Sequence, residues 1–324
     1  MRIIALRQVA AACALAASCA GAAAQGYPSK AIRLIVPFPP GSTPDIVGRT
    51  LGTKMSESWR QPVVVENRSG AGGNIGTAEA ARAAPDGHTL VIGINGPIAV
   101  NKALYDKLPY DPDKDLAPIS LLASGAQLLA VHPSVPANDL KEFVRHVRSN
   151  PGRLSYGSVG SGSASHLTME ILKSQAKLFI VHIPYRGFPP VVSDLLSGQI
   201  HAAFAIVPAV LPQVKAGRLK ALAVTSARRN ALAPDIATVA EQGFPQFDAT
   251  AWIGLLAPAG TPQDVVDKLA AEASRILRLP EVHESLAKQG FDVIGSSPRE
   301  FAAFIRAESE KWGAVVRAVG AKPE

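Results

Sequence analysis

Short, continuous hydrophobic runs recur along the chain at residues 32–36, 63–65, 90–94, 128–131, 154–156, 180–183, 202–206, 221–224 and 252–257, each closed by turn residues. Unbroken apolar stretches of this length mark strands buried on both faces, as in parallel sheets. Helical patterns fall between them. Asp139 and Glu142 stand at capping-box spacing around Leu140, Phe143, Val144 and Val147, and Asn150-Pro151-Gly152 stops the pattern. Thr261 is the expected cap of a later helix, with Pro262 at its first position, Asp264 in its first turn, and Val265, Leu269, Ala273 and Ile276 along one apolar face. Ser297-Pro298-Arg299-Glu300 repeats the start signal ahead of Phe301, Phe304, Ile305 and Trp312. Strands alternating with helices predict an α/β fold, and so many strands suit two sheets in two lobes better than one. The expected architecture is therefore two mainly parallel sheets flanked by helices. The turn-rich stretches 108–118 and 243–248 are the expected crossings between the lobes. Beyond the N-terminal segment no hydrophobic run reaches the length of a transmembrane helix.

Composition narrows the class. The 324 residues suggest two globular units. With 47% hydrophobic and 18% charged residues, the chain can bury sizeable cores and is not a disordered one. The net charge is +7, yet the basic residues are scattered and their longest run is the pair Arg228-Arg229. A nucleic-acid binder gathers such residues on a stripe, often with aromatics between, so no nucleic-acid partner is expected.

The first 24 residues read as a leader. Arg2 and Arg7 come first, an apolar run follows from Val9 to about Ala17, and Ala22-Ala23-Ala24 precede Gln25. That order is the charged, apolar and small-residue pattern of a secretory signal peptide, with cleavage expected after Ala24. A lipid attachment at Cys19 is the rival reading, but Ala16-Ala17-Ser18 lack the usual leucine before such a site. Both cysteines, Cys13 and Cys19, lie in this segment. A chain cut after Ala24 thus has no disulfide, no thiolate metal site and no cysteine nucleophile.

Three Gly- or Ser-rich loops follow expected strands and precede expected helices: 37–45, 69–76 and 157–166. In the first, Ser42 or Thr43 can cap a helix with Pro44 and Asp45 in its first turn. Such a unit points free backbone N–H groups and the positive end of a helix at an anion, and in open α/β sheets these loops lie where ligands bind. One such loop is ordinarily just a tight turn; three in one chain point to a small anionic ligand. Enzyme signatures are missing: there is no G-x-S-x-G, no G-x-x-x-x-G-K-[ST] and no H-E-x-x-H, and Ile75 breaks the G-x-G-x-x-G spacing begun by Gly70 and Gly72. The seven histidines show no ligand spacing, and no metal or other cofactor is expected. His166 and Glu170 read as a contact on a helix surface, and Asp45 as a first-turn acid complementing the helix dipole.

With these loops placed, the chain from Tyr27 to Glu324 resembles the substrate-binding proteins of tripartite tricarboxylate transporters, the Bug family. The carrying segments are Tyr27-Pro28-Ser29-Lys30 with Ile32-Arg33-Leu34-Ile35-Val36-Pro37-Phe38, Pro62-Val63-Val64-Val65-Glu66-Asn67-Arg68 with Gly70-Ala71-Gly72-Gly73, Pro85-Asp86-Gly87-His88-Thr89-Leu90 and Leu108-Pro109-Tyr110-Asp111-Pro112. Tyr156-Gly157-Ser158, His182-Ile183-Pro184-Tyr185-Arg186-Gly187, Ala221-Leu222-Ala223-Val224-Thr225-Ser226 and Ala257-Pro258-Ala259-Gly260-Thr261-Pro262 follow in order. The resemblance implies a two-lobed, type II-like flytrap of the periplasm, with one lobe from residues 25–120 and 249–324 and the other from 121–248. A small carboxylate would lie between them, held by Phe38, Pro40, Gly41, Ser42, Thr43 and Asp45 of the first lobe. Ser158, Gly160, Ser161 and Ser163, with Tyr185, Arg186, Gly187 and Phe188, would face it from the second. A non-catalytic monomer that serves membrane transporter subunits or a sensor protein is the expectation; a periplasmic α/β hydrolase or lyase is the alternative.

Three places depart from the family pattern. Ser42 replaces the second glycine of Pro-Gly-Gly, Phe188-Pro189-Pro190 replace small residues, and His201 stands where an aspartate is usual. All three are expected in or near the cleft, and Phe188 there would favour a ligand with a flat or apolar body.

Overall fold

The chain leaves its first sheet and returns to it, and this path sets the architecture. The structure, a computed structural model, describes residues 26–245, 247 and 249–319. The leader and its cleavage point lie outside those residues. The first sheet has six strands: β1 (Ile32–Val36), β2 (Val63–Asn67), β3 (Thr89–Ile94), β4 (Leu116–Gly125), β10 (Ala251–Pro258) and β11 (Phe291–Val293), in the order β11-β4-β10-β3-β1-β2. The second has five: β5 (Gln127–Val131), β6 (Ser155–Ser158), β7 (Val181–Pro184), β8 (Ala202–Ile206) and β9 (Lys220–Val224), in the order β7-β6-β8-β5-β9.

The sheets are mixed rather than mainly parallel. β1 runs parallel to β2 and β3, and β6 to β7 and β8. β10 is antiparallel to β3 and β4, β11 to β4, and β5 to β8 and β9. The reason is the crossing: β4 carries the chain out towards the second sheet and β10 brings it back alongside. The outward crossing falls at Ala126, beyond the expected stretch 108–118, because β4 continues in the first sheet to Gly125. The return passes through buried Phe247 and Ala249 into β10.

Helices cover both sheets. On the first, α1 (Thr43–Trp59) and α9 (Gln263–Leu277) bury Val47, Leu51 and Met55, and Val265, Leu269, Ala273 and Ile276. Thr261 and Pro262 differ from expectation: α9 begins one residue later, Pro262 is its N-cap, and the Thr261 hydroxyl bonds the Pro258 carbonyl. On the second sheet, α5 (Leu140–Ser149) buries Leu140, Phe143, Val144 and Val147, and Asp139 caps it by accepting from the Glu142 N–H at 2.7 Å. The last helix, α11 (Pro298–Val319), opens with a reciprocal capping box between Ser297 and Glu300. It packs on β4 and on a helix of the second lobe, α6 (Ala164–Ala176), so it joins the lobes.

Beside the crossing lies a buried carboxylate. Glu308 of α11 accepts from Asn95, Trp252 and Trp312, at 3.2, 2.9 and 2.8 Å, and pairs with Lys311. Asn95 in turn accepts the Trp252 backbone N–H. The end of β3, the start of β10 and α11 are thereby tied at one point. No helix among the described residues is long and apolar enough to cross a membrane.

Candidate functional site

The carboxyl ends of β1 and β2 in the first sheet and of β6 and β7 in the second carry the expected loops. The first loop is shaped by Asp45. This buried carboxylate accepts from the Gly41 N–H at 2.8 Å, Asn67 Nδ2 at 2.8 Å and Arg49 Nε at 3.0 Å. Asn67 also donates to the Phe38 carbonyl, so the strand β2 clamps both ends of the loop. Burial pushes the Asp45 carboxyl up, but the bonds from Arg49, Gly41 and Asn67 outweigh it and hold the group below the usual range. Its three donors all come from its own lobe, so Asp45 organises the loop.

Ser42 is the N-cap of α1 and Pro44 lies in the first turn, as the sequence predicted. The Ser42 side chain, however, makes no cap bond. Its Oγ is buried and without a hydrogen-bond partner, which costs about 1–3 kcal/mol for a polar group. Beside it, the N–H groups of Thr43 and Asp45 belong to a first turn that has no intrahelical acceptor for them. Gly41, at φ +77°, supplies the left-handed bend before the helix and is open to solvent on its Cβ side.

The second loop passes through a 3₁₀ turn (Ala71–Gly73) into α2 (Asn74–Ala81). Phe38 and Pro97 close over Gly73: a Cβ there would lie 2.8 Å and 2.7 Å from their rings. After β3 come a π turn (Gly96–Val100) and α3 (Asn101–Leu104). Asn74 and Asn101, both buried, are joined by a 2.6 Å bond, and Tyr110 adds its hydroxyl to Asn74. Asn101 Oδ1 is buried without a partner. These residues escaped the sequence reading, since single asparagines after a strand carry no periodic signal.

The third loop, 158–163, comes from the other lobe and meets this surface. A Cβ on Gly96 would lie 3.2 Å from the Gly162 carbonyl, and one on Gly72 would lie 3.6 Å from that of Ser161. A Cβ on Gly162 would lie 3.0 Å from Asn101 Oδ1. Glycines thus let the two lobes approach closely. Within the loop, the Ser158 hydroxyl bonds Gly160 and His182, and Ser163 caps α6. The fourth loop follows β7. The Tyr185 N–H bonds the Ser158 carbonyl, and its hydroxyl donates to Asp194 at 2.7 Å. Burial, with Asp194 adding to it, pushes this phenol up to about 12. Arg186 is exposed. Gly187, at φ +131°, leads into α7 (Phe188–Ser197), and Phe188 is half-buried against the second sheet's core.

Two expectations change. His201 lies at the opposite end of the sheet from the cleft, where its ring accepts the Ser155 N–H at the start of β6; its departure from the family pattern therefore does not touch the site. His166 and Glu170 are not on a helix surface either: both are buried, at 6% and 8% exposure. Among the described residues no group of His, Cys, Asp and Glu is arranged to hold a metal ion.

Two sheets joined by crossing strands, with glycine-rich loops of each facing the other, define a two-lobed solute receptor. The chain belongs to the tripartite tricarboxylate transporter family of receptors, whose model matches residues 47–321. It is 36% identical over 310 residues to Protein BugT of Bordetella pertussis, covering 95% of each chain. It is 45% identical to a solved structure described as a periplasmic transporter, with a TM-score of 0.83 over 92% of this chain and 99% of the other. A further structure, Rpa4515 of R. palustris with adipate, is 32% identical with a TM-score of 0.84, covering 92% of this chain and all of the other. The family makes this chain a receptor of a tripartite tricarboxylate transporter, and one of the similar structures is described as periplasmic.

Proposed function

We propose that the chain holds a small dicarboxylate between its lobes, with one carboxylate at the start of α1, and presents it to the membrane subunits of a tripartite transporter. The observation that carries this reading is Ser42. A buried hydroxyl without a partner, beside two first-turn N–H groups, is a donor set for an anion. Hydrogen bonds to a charged group contribute about 1.5–3 kcal/mol each, so three account for micromolar binding. The adipate of the relative fits this chemistry. Phe188, half-buried at the start of α7, offers an apolar surface to the ligand's carbon chain. Loop 158–163 covers the ligand when the lobes close. Turnover is not part of the proposal, because the Asp45 carboxylate and the Ser158 and Ser163 hydroxyls are engaged within their own lobes.

Calorimetry tests this with adipate and malate against the mature chain and its Ser42→Ala and Phe188→Ala variants. Ser42→Ala is expected to weaken binding about tenfold, the loss of one charged hydrogen bond. Unchanged affinity in both variants, with the fold intact, refutes the placement. Conversion of the bound compound into a product refutes the receptor reading in favour of a hydrolase or lyase.

A further inference from the structure

Two histidines of the second lobe have no part in the site as described, yet both hold the loop that meets the first lobe. His166, in the first turns of α6, accepts the Gly162 N–H on Nδ1 at 3.1 Å. His182, on β7, lies 2.7 Å through Nε2 from the Ser158 hydroxyl, which itself brackets the Gly160 backbone. The two rings stack with centroids 4.2 Å apart, and the Tyr156 ring of β6 stacks on His182 at 4.9 Å. Of the other titratable groups facing His166, Glu170 and Lys173 sit on its own helix, Glu170 Oε1 being 3.9 Å from Nε2 and Lys173 paired with Glu170, while Tyr156 of β6 stacks on its ring at 6.5 Å. Tyr156 also donates to Glu170 at 2.7 Å. Loop 158–163 contains no titratable residue. On its far side, Gly162 faces the partnerless Asn101 Oδ1 of the first lobe.

We propose that His166 and His182 are positioning residues for the second lobe's ligand loop, and that proton uptake by this stacked pair frees Gly162 and makes the receptor release its solute in acid. The chemistry is one of lone pairs. Nδ1 can accept the Gly162 N–H only while it carries no proton, which puts the neutral ring's hydrogen on Nε2, towards Glu170. A proton on Nδ1 sets two N–H groups against each other, and the loop must move. Stacking allows one positive charge on the pair more readily than two. Burial and the neighbouring His182 drive His166 down to about 4, against the opposing pull of Glu170, so release belongs to acid conditions.

The affinity part rests on the proposed ligand site, whereas the loop part can be read without ligand. Nitrogen NMR of the labelled mature chain is expected to show His166 with the proton on Nε2 at pH 7.5. The Gly162 amide signal should titrate with a midpoint well below 6, and this titration should vanish in His166→Gln. A protonated Nδ1 at neutral pH, or the same Gly162 titration in His166→Gln, overturns the proposal. For affinity, adipate is titrated at pH 7, at 4.5 and at about 3. Adipate gains protons over the same range, so the quantity read is the wild-type loss divided by the His166→Gln loss. With His166 at about 4 the ring is only partly protonated at pH 4.5, so a ratio above one is expected there, rising towards about ten, as for one buried N–H left without an acceptor, when the pH is lowered to about 3; a ratio of one throughout overturns the acid-release part. His166→Leu and His182→Leu should weaken adipate binding at pH 7, with Gln restoring much of the loss at 166. Failure of adipate to bind at pH 7 would count against the proposed ligand, while the amide titration still decides the role of the histidines.

Discussion

Replacing Gly96 with alanine separates lobe closure from lobe stability. Gly96 sits at the start of the π turn with ordinary backbone angles, so alanine strains nothing locally. Within its own lobe the added methyl meets only ordinary contacts, 3.8 Å from Asn101 Oδ1 and from the Gly72 carbonyl. Its one tight contact, at 3.2 Å, is the Gly162 carbonyl of the other lobe. Overpacking by a few tenths of an ångström costs about 1–3 kcal/mol, and because the tight contact is with the other lobe, the cost is expected to fall on the approach of the lobes rather than on the packing of either. The open chain instead gains about 0.4–1 kcal/mol, because alanine has fewer unfolded conformations to lose than glycine. The expected result is a melting temperature equal to or above wild type, together with adipate affinity reduced about 5- to 150-fold. Calorimetry gives the affinity, and small-angle scattering should show less compaction on adding ligand. Undiminished affinity in Gly96→Ala would refute the idea that the lobes close at this contact. A fall in melting temperature would refute the claim that the clash is confined to closure.

Other expectations concern stability and pH. Glu308→Leu leaves two indole N–H groups and the Asn95 amide without their buried acceptor, so a loss of about 3 kcal/mol or more is expected in chemical denaturation, with shifted tryptophan emission. Ser297→Ala removes the cap of α11 and should cost about 1 kcal/mol in the same assay. The Asp45 carboxyl is held below its ordinary value in the folded chain, so its stabilisation is full above the usual carboxylate range and is lost as pH falls through the folded value. Asp45→Asn should therefore lower stability at pH 7 and flatten its decline between pH 5 and 3; an unchanged slope would refute the assignment. Gly254→Ala would place a methyl 2.1 Å from the Phe301 ring in the core and should unfold the chain or cost several kcal/mol.

Much of this architecture is legible in the sequence because buried strands and capped helices leave local marks. The runs 32–36, 90–94 and 202–206 are continuous and apolar, and each is a strand. Ser297 and Glu300 form the box that their spacing implies. β4 was hidden because Pro118, Ser120 and Ser124 interrupt its apolar pattern, and the position of the crossing went with it. β11 has three residues, too few for any period. At the site, glycine and serine betray the loops, since positive φ and helix starts require them. What those side chains bond to is long-range and leaves no such mark. Asp45 is fixed by Asn67 from 22 residues away and Ser158 by His182 from 24, while Asn101 meets Gly162 only because two lobes fold towards each other. His166 reads as surface because helical spacing alone cannot show that both faces of α6 are covered, one by the sheet and one by α11.

The most direct test of a carboxylate held between the lobes is native mass spectrometry of the mature chain, purified without refolding and then denatured to release whatever it carries. The account predicts one bound small molecule per chain, chemically unchanged on release, bearing at least one carboxylate, and absent or much reduced in Ser42→Ala. A bound molecule without a carboxylate, or one retained equally by Ser42→Ala, would contradict it.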